Sequence, residues 1–217
     1  MGNTVGSQRN LTSKQKEVLI GTLLGDGILE LNGRYPRLRV DHGARQKAYV
    51  EWKYKIFHNL AAGGIKYFYQ RVDHRTKKRY THCKSDTIST PLLNEFYKTF
   101  YVNRKKRIPD NIIRILNKPL SLAVWFMDDG YKRNDCNALR ISTDSFALEG
   151  QRLLLECLKK NFGICAKLHK KGKFWNIYIP NPEAKNFCKI IEPYIIPGMR
   201  YKISFDPVTT EVFRPRW

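Results

Sequence analysis

Two apolar stretches of the chain end in the same way, on an acidic residue followed by glycine. The first, KQKEVLIGTLLGDG, follows the helix-start residues Thr12 and Ser13 and closes around Asp26. The second, SLAVWFMDDGYK, is a continuous apolar run that closes on Asp128 and Asp129. Both stretches predict buried helices. Negative charge at a helix C-terminus is unfavourable by roughly a few tenths of a kcal/mol, so these carboxylates indicate a role other than helix stability.

The pattern that follows the two helices is duplicated as well. The alternating stretches RLRVDH and ALRISTD predict strands, and each is followed by a helix, at about residues 47–60 and 147–162. Two more strands and a third helix come next, as GIKYFYQRV, THCKSDTIS and TPLLNEFYKTFY in the first half and AKLHKKG, FWNIYIP and EAKNFCKIIEPY in the second. The sequence therefore predicts an α+β protein with two αββαββα lobes.

The duplication also predicts the domain boundaries. We expect a disordered N-terminus at residues 1–11, a first lobe at 12–103, a connector at 104–119 and a second lobe at 120–217. The connector contains a proline near its middle and another at its end.

The two repeated helices are the predicted interface between the lobes. Gly21 and Gly25 lie on one face of the first helix and allow close backbone approach, whereas Val124 and Asp128 occupy the matching places on the second. We therefore expect close but asymmetric packing. Helices packed side by side in this way bring their C-terminal ends together, and with them the two terminal acids.

The net charge of the chain indicates what kind of molecule it binds. Forty Lys and Arg residues against nineteen Asp and Glu give the 217-residue chain a net charge of +21, which indicates a polyanionic partner. The sequence contains no apolar run of membrane-spanning length, no recognisable export signal and no C-x-x-C pair among its five cysteines. We expect an intracellular protein that binds no membrane.

Two aspartates that converge from separate helices repel each other, and a divalent cation relieves that repulsion. Mg²⁺ prefers carboxylate oxygens and retains positions for water and phosphate oxygens. On so basic a chain, such a site favours phosphodiester hydrolysis.

The residues also carry a family signature. LIGTLLGDG and LAVWFMDDG resemble the two motifs of the LAGLIDADG homing endonucleases, in their single-chain form. KKRIP and PYIIPGMRYK make the chain most similar to the yeast mitochondrial ribosomal-RNA intron endonuclease branch. The resemblance extends over about residues 12–203, nearly the whole chain.

The resemblance implies a saddle of two four-stranded antiparallel sheets that lies in the major groove of double-stranded DNA. It implies cleavage of both strands of a long, nearly asymmetric site, leaving 3′ overhangs. The implied cofactor is Mg²⁺, with Mn²⁺ as a substitute and Ca²⁺ bound without cleavage. The implied protein is a monomer, organellar if its host is eukaryotic.

The resemblance assigns residues by position. Asp26 and Asp129 align with the catalytic acids that bind metal, and the backbone carbonyls of Gly25 and Asp128 are further predicted metal ligands.

Lys106 in KKRIP and Lys202 in MRYK match the basic residues that organise solvent around the attacking water. Asp41 and Ser142 occupy equivalent strand positions near the predicted site, where the family carries a polar residue, although Asp41 is an acid where a near relative has an amide.

Basic and aromatic side chains on the strands and hairpins are the candidates for DNA contact, through base edges or phosphates. They are Arg34, Arg37, Arg39, Tyr69, Arg71, Arg75, Lys77, Lys78, Arg79, Lys84, Arg140, Lys167, Lys170, Lys171 and Lys173.

Two alternatives use the same fold. An RNA maturase that assists splicing of its host intron would be equally basic, with intron RNA as its partner. A DNA-binding regulator that does not cut would be expected to have eroded motifs or an added helix-turn-helix. Both motif acids are present, which favours the nuclease. An unrelated metal-dependent nuclease or a ribosomal protein would leave the full repeat as a coincidence.

Overall fold

The computed structural model describes residues 10–204 except 70, 71, 73, 76 and 78. Within that range, no helix combines the length and the apolar composition that crossing a bilayer requires. Leu11 is only 6% exposed and packs into the core, so the predicted disordered segment at residues 1–11 extends too far. Its apolar side chain lies next to the cap of the first helix, where burial removes it from water.

The first lobe follows the predicted order of elements. It contains α1 (Ser13–Leu24), β1 (Ile28–Asn32), β2 (Tyr35–Gly43), α2 (Lys47–Ile56), β3 (Lys66–Tyr69), β4 (Thr81–Asp86) and α3 (Asn94–Phe100). The predicted helix at residues 47–60 is divided, because α2 ends at Ile56 and a 3-10 turn follows at His58–Leu60.

A connecting segment joins the lobes and has structure of its own. Strands β5 (Tyr101–Val102) and β6 (Lys105–Lys106) form a small hairpin, and a short helix, α4 (Ile112–Ile115), follows it.

The second lobe repeats the order of the first. It contains α5 (Pro119–Asp129), β7 (Gly130–Lys132), β8 (Leu139–Ile141), α6 (Leu148–Phe162), β9 (Lys167–Lys171), β10 (Phe174–Ile179) and α7 (Glu183–Ile191). A further 3-10 helix, Pro197–Lys202, carries the last of the predicted site residues.

The two large sheets have the same topology, which confirms the predicted α+β fold with two four-stranded antiparallel sheets. Their strand orders are β1-β2-β4-β3 and β7-β8-β10-β9. In each sheet the alternating pattern buries one face, with Leu38 and Val40 on β2 and Leu139 and Ile141 on β8. The opposite face carries the charged side chains.

Local chemistry explains where the central helices begin. Thr12 and Gln15 form a capping box at the start of α1, with Gln15 N–H donating to Thr12 Oγ1 at 3.1 Å and Thr12 N–H donating to Gln15 Oε1 at 3.0 Å. Pro119 opens α5 at the first helical position, where its missing N–H is harmless. The start predicted at Thr12 and Ser13 is confirmed.

Helices α1 and α5 pack against each other along the centre of the molecule, as predicted. A Cβ added at Gly21 would lie 2.4 Å from the carbonyl oxygen of Ser121 and 2.6 Å from Cβ of Val124. A Cβ added at Gly25 would lie 2.3 Å from Cβ of Asp128. The glycines of α1 thus leave the space that the larger side chains of α5 fill, and the predicted asymmetry is confirmed.

Candidate active site

The two motif acids lie at the ends of the central helices, in different surroundings. Helix α1 ends one residue before Gly25, and the side chain of Asp26 is 46% exposed in the turn that follows. Helix α5 continues through Asp129, which is half-buried. Burial, together with the charges of Asp26 and Asp128, raises the pKa of Asp129 to about 8. The two acids therefore interact electrostatically, and Asp129 lacks sufficient compensation from nearby positive charge.

Two lysines hold these helix ends in closely similar ways. Lys106 Nζ donates to the carbonyl of Gly25 at 2.7 Å and to that of Gly27 at 3.0 Å. Lys202 Nζ donates to the carbonyl of Met127 at 2.5 Å and to that of Asp128 at 3.0 Å. Burial lowers the pKa of both ammonium groups, and the nearby aspartates oppose that shift. The carbonyls predicted as metal ligands thus accept hydrogen bonds from the predicted catalytic lysines.

A buried ion pair lies directly beneath the helix ends. Lys53 Nζ on α2 is 2.8 Å from Oδ1 and 3.0 Å from Oδ2 of Asp128. The two side chains are 1% and 0% exposed. The pair joins the lobes, because Lys53 belongs to the first and Asp128 to the second.

His42 on β2 lies between two of the carboxylates. Its Nδ1 is 3.5 Å from Oδ2 of Asp26 and its Nε2 is 3.8 Å from Oδ1 of Asp128. Burial, reinforced by the charge of Lys53, lowers the pKa of His42, which favours the neutral imidazole. Within the described part of the chain, Nε2 of His42 makes no hydrogen bond.

One group of side chains near the helix ends has the spacing of a metal site. Among the described residues, Asp26, His42 and Asp128 offer ligand atoms that all lie within 4.8 Å of one another. Lys53 already neutralises Asp128, which makes that carboxylate a poor metal ligand. Asp26 and Asp129 retain carboxylate oxygens, and the raised pKa of Asp129 is the mark of a carboxyl group whose ionised form needs positive charge.

The two predicted peripheral residues are placed differently from each other. Oδ1 of Asp41 is exposed and lies 3.1 Å from Nδ1 of His82, so its contact is with the sheet surface. The backbone N–H of Ser142 donates to the carbonyl of Asp129 at 3.1 Å, which places Ser142 beside the second acid.

The outer face of the first sheet mixes both signs of charge. Arg37 and Arg39 each reach Oε2 of Glu30, at 2.7 and 2.9 Å. Arg39 and Lys84 also pair with Asp86, at 3.2 and 3.6 Å. The residues of this lobe that are predicted to contact DNA and are exposed are Arg34, Tyr69, Arg75, Lys77 and Arg79. Arg71 and Lys78 lie outside the described residues.

The second sheet carries cations with few acids beside them. Its four strands contain Lys132, Arg140, Lys167, Lys170 and Lys171 and no Asp or Glu. Lys173, in the hairpin between β9 and β10, lies over the ring of Phe174 with Nζ 5.3 Å from its centroid. By strand register, Arg140, Lys167 and Lys171 lie on the face opposite the buried Leu139 and Ile141, so this face is more uniformly positive than that of the first sheet.

Sequence reasoning missed His42, Lys53 and the side chain of Asp128. A signal for Lys53 is present in the sequence: α2 buries Tyr49, Val50 and Lys53, which places a lysine on the apolar face of an amphipathic helix. The aligned position in the second half is Leu154, also buried. No comparable signal distinguishes His42 from an ordinary core histidine.

Known proteins are similar to this chain in sequence and in architecture. Residues 16–187 match the model of the LAGLIDADG DNA endonuclease family. The DNA endonuclease I-ChuI of Chlamydomonas applanata is 32% identical over 90% of this chain and 96% of its own. The cytochrome b mRNA maturase bI2 of Debaryomyces hansenii is 29% identical over 93% of this chain and 78% of its own.

A solved structure agrees with these relatives. The homing endonuclease I-WcaI, determined bound to its DNA recognition sequence, superposes with a TM-score of 0.86 at 27% identity. The match covers 92% of this chain and 90% of that one. The protein therefore belongs to the LAGLIDADG DNA endonuclease family.

Proposed function

We propose that this protein is a site-specific endonuclease that uses Mg²⁺ to cut both strands of a long, nearly asymmetric DNA site, leaving 3′ overhangs. The observation that carries the proposal is the duplicated geometry at the helix ends. Each half has an aspartate and a lysine, the half-buried Lys106 or the buried Lys202. The lysine donates to the carbonyl of the residue before the aspartate, Gly25 in the first half and Asp128 in the second. A duplex has two backbones related by an approximate twofold axis, which matches two such half-sites.

Asp26 and Asp129 are the proposed metal-binding catalytic acids, one for each strand. The carbonyls of Gly25 and Asp128 lie beside them as additional oxygen ligands for the metal. When bound, Mg²⁺ supplies charge stabilisation at the phosphoryl oxygens and acidifies water.

Lys106 and Lys202 have two proposed tasks. Their ammonium groups fix the backbone at the helix ends through the carbonyl bonds described above. Their remaining N–H groups orient solvent beside the scissile phosphate and stabilise its developing negative charge.

The outer faces of the two sheets form the proposed DNA surface. Sequence reading is assigned to the basic side chains on the strands, with those of the second lobe less restrained by neighbouring acids. We further propose that the protein acts as a monomer, since one chain supplies both half-sites. An organellar location is supported by the likeness to a yeast cytochrome b mRNA maturase.

The same likeness favours a second candidate function. The Debaryomyces hansenii relative is named a maturase and is 29% identical over 93% of this chain. Assistance to the splicing of a host intron can coexist with DNA cleavage on this fold. Intron RNA that binds to the protein and splices faster in its presence would support this second function.

Digestion of a randomised DNA library tests the proposal. Libraries incubated with Mg²⁺ are expected to yield ends that define one long, asymmetric sequence with staggered 3′ ends, whereas incubation with Ca²⁺ yields binding without ends. Sequencing of the ends identifies the target at the same time. Random ends, or no ends with any divalent metal, would overturn the proposal.

A further inference from the structure

Asp128 occupies the place of a helix-packing glycine, and its side chain crosses into the opposite lobe. A Cβ at the matching residue of α1, Gly25, would lie 2.5 Å from Oδ2 of Asp128. Asp128 is fully buried there, although it lies one residue before a proposed catalytic acid. A buried carboxylate is strongly unfavourable unless it is paired, so its partners indicate what it does.

Lys53 holds this carboxylate from the first lobe. Its ammonium group contacts both oxygens of Asp128 and lies over the ring of Tyr49, with Nζ 4.3 Å from the centroid. The hydroxyl of Tyr49 donates to the carbonyl of Val124 on α5 at 3.1 Å. The ion pair is thus enclosed, and the orientation of the carboxylate is fixed. Paired in this way, the Asp128 carboxylate is held in one orientation and remains a hydrogen-bond acceptor.

The fixed carboxylate contacts Asp26. The backbone N–H of Asp26 donates to Oδ2 of Asp128 at 3.3 Å. His42 adds a second link, because one ring nitrogen faces the side chain of Asp26 and the other faces Asp128, at 3.5 and 3.8 Å. Both the backbone and the side chain of Asp26 therefore have neighbours in this group.

We propose that Lys53, Asp128 and His42 form a positioning network for Asp26, confined to the first half-site. The inference rests on the proposed function, in which Asp26 serves one DNA strand and Asp129 the other. At the positions aligned with Lys53 and His42 the second half has Leu154 and Thr143, and the residue of the first half aligned with Asp128 is Gly25. The hydroxyl of Thr143 donates to Oε1 of Gln151 at 2.9 Å, so it belongs to the core of its own lobe.

The network predicts an effect on one strand of the DNA. Residues that orient a metal ligand typically change activity by about 10- to 100-fold when they are removed. That loss is expected for the strand that depends on Asp26, with the rate for the other strand changed by less than about threefold. A general structural role would slow both strands together, because both half-sites share the same helix pair.

The experiment uses a duplex that contains the selected target, with a different label on each strand, and measures the two nicking rates in Mg²⁺. The variants Asp26→Asn and Asp129→Asn first identify which strand depends on which acid. Two double variants that lack both charges are then compared. One combines Lys53→Met and Asp128→Asn, and the other combines Lys53→Met and Asp128→Leu. Only the asparagine can still accept from the N–H of Asp26. Leu154→Met is the matched control in the other half.

The expected result is a strand-specific loss of about 10- to 100-fold for the leucine pair, with most of the rate retained by the asparagine pair and no change for Leu154→Met. Melting temperature and DNA binding in Ca²⁺ show whether each variant is folded. Equal slowing of both strands by the leucine pair, or normal nicking of both, would overturn the inference.

If the double variants do not fold, variants of His42 provide a second test, because they leave the buried ion pair of Lys53 and Asp128 intact. His42→Leu is expected to slow the Asp26-dependent strand, and His42→Gln, which keeps a hydrogen-bonding side chain, to slow it less. Equal rates for the two variants would contradict the network. Failure of the proposed function appears separately, as wild-type protein that does not cut the target, and that result would also overturn the inference resting on it.

Discussion

The two sides of the central helix pair solve the same packing problem with different residues. At the end of α1, Gly25 contributes no side chain, and the residue of α6 aligned with Lys53 is the buried Leu154. On the other side Asp128 of α5 faces the first lobe, where the aligned residue of α2 is Lys53. Lys53 and Leu154 are each the seventh residue of their helix, counted from Lys47 and from Leu148.

The difference shows how a duplicated site becomes asymmetric while the groups that hold the helix ends stay in place. A glycine needs no partner, whereas a buried carboxylate at the aligned position needs a cation. Lys53 supplies that cation to Asp128, whereas Leu154, at the position aligned with Lys53, is a buried apolar residue. The lysines that hold the helix ends, Lys106 and Lys202, keep their positions in both halves. We therefore expect the two half-sites to share their chemistry and to differ in what surrounds it.

The largest expected effect comes from the two acids. Asp26→Asn and Asp129→Asn should each lower double-strand cleavage by at least about 10³-fold, because each removes a negatively charged side chain that is a proposed metal ligand. DNA binding in Ca²⁺ should be largely preserved. Cleavage and electrophoretic binding assays measure both properties. If either variant cut both strands at the wild-type rate, the assignment of two half-sites would be wrong.

The buried pair should distinguish the lobes by stability. Lys53→Met leaves Asp128 buried without its cation, so the free energy of unfolding is expected to fall by about 3–5 kcal/mol. Leu154→Met at the aligned position should lower it by less than about 1.5 kcal/mol, because it changes only the shape of an apolar side chain. Urea unfolding measures both. Equal losses of unfolding free energy in the two variants would mean that the buried ion pair contributes no more to stability than the apolar residue at the aligned position.

Metal binding should stabilise the fold through Asp26 and Asp129. Mg²⁺ at 100 times its dissociation constant is expected to raise the free energy of unfolding by about 2.7 kcal/mol. The increase should be smaller in Asp26→Asn and in Asp129→Asn, each of which loses a proposed ligand. Thermal unfolding with Mg²⁺ and with EDTA, in the absence of DNA, provides the measurement. A wild-type melting temperature that does not respond to metal would argue against the site.

Close contact at the helix pair should make Gly25 intolerant of a methyl group. Gly25→Ala is expected to lower the free energy of unfolding by about 1–3 kcal/mol, because the added Cβ meets Asp128 and overpacks the interface. Gly198→Ala is the control, since a Cβ there would lie 3.8 Å from Cβ of Ala48, in ordinary contact. Chemical denaturation of the two variants should separate them. Similar stabilities would contradict the tight packing.

The smallest expected effect compares the two sheet faces. Binding should weaken steeply with salt, and Lys171→Gln should lower the slope of log K against log salt by about 0.9, one phosphate contact. Arg37→Gln should change it less, because Glu30 already pairs with Arg37 at 2.7 Å. Titrations at several salt concentrations measure the slopes. Equal changes would show that the acids of the first sheet do not restrain its cations.

Much of the fold was predictable because the duplication repeats each local pattern. The alternation of RLRVDH and ALRISTD yielded strands, and the capping residues at Thr12 and Ser13 yielded a helix start. The 3-10 turn after Ile56 and the buried position of Leu11 were not predicted. Both depend on contacts with distant parts of the chain, which a local pattern does not contain.

The site was predictable to a lesser extent. The motifs placed Asp26 and Asp129 at helix ends, and the glycine pattern indicated that those helices would meet. The sequence did not indicate that Asp128 would bind a lysine from the other lobe or that His42 would lie between two carboxylates. Lys53 resembled any other surface lysine among forty basic residues until its neighbours on α2 were found to be buried.

The sequence alone determined the duplicated order of elements, the two helix-end acids and the excess of positive charge, because these follow from periodicity and composition within short segments. Only the tertiary structure decided which charges pair across the lobes and which carboxylate remains available for metal. The physical reason is that the energy of a charge depends on burial and on partners a few ångströms away, and here the partners lie far apart in the chain, as Lys53 and Asp128 do.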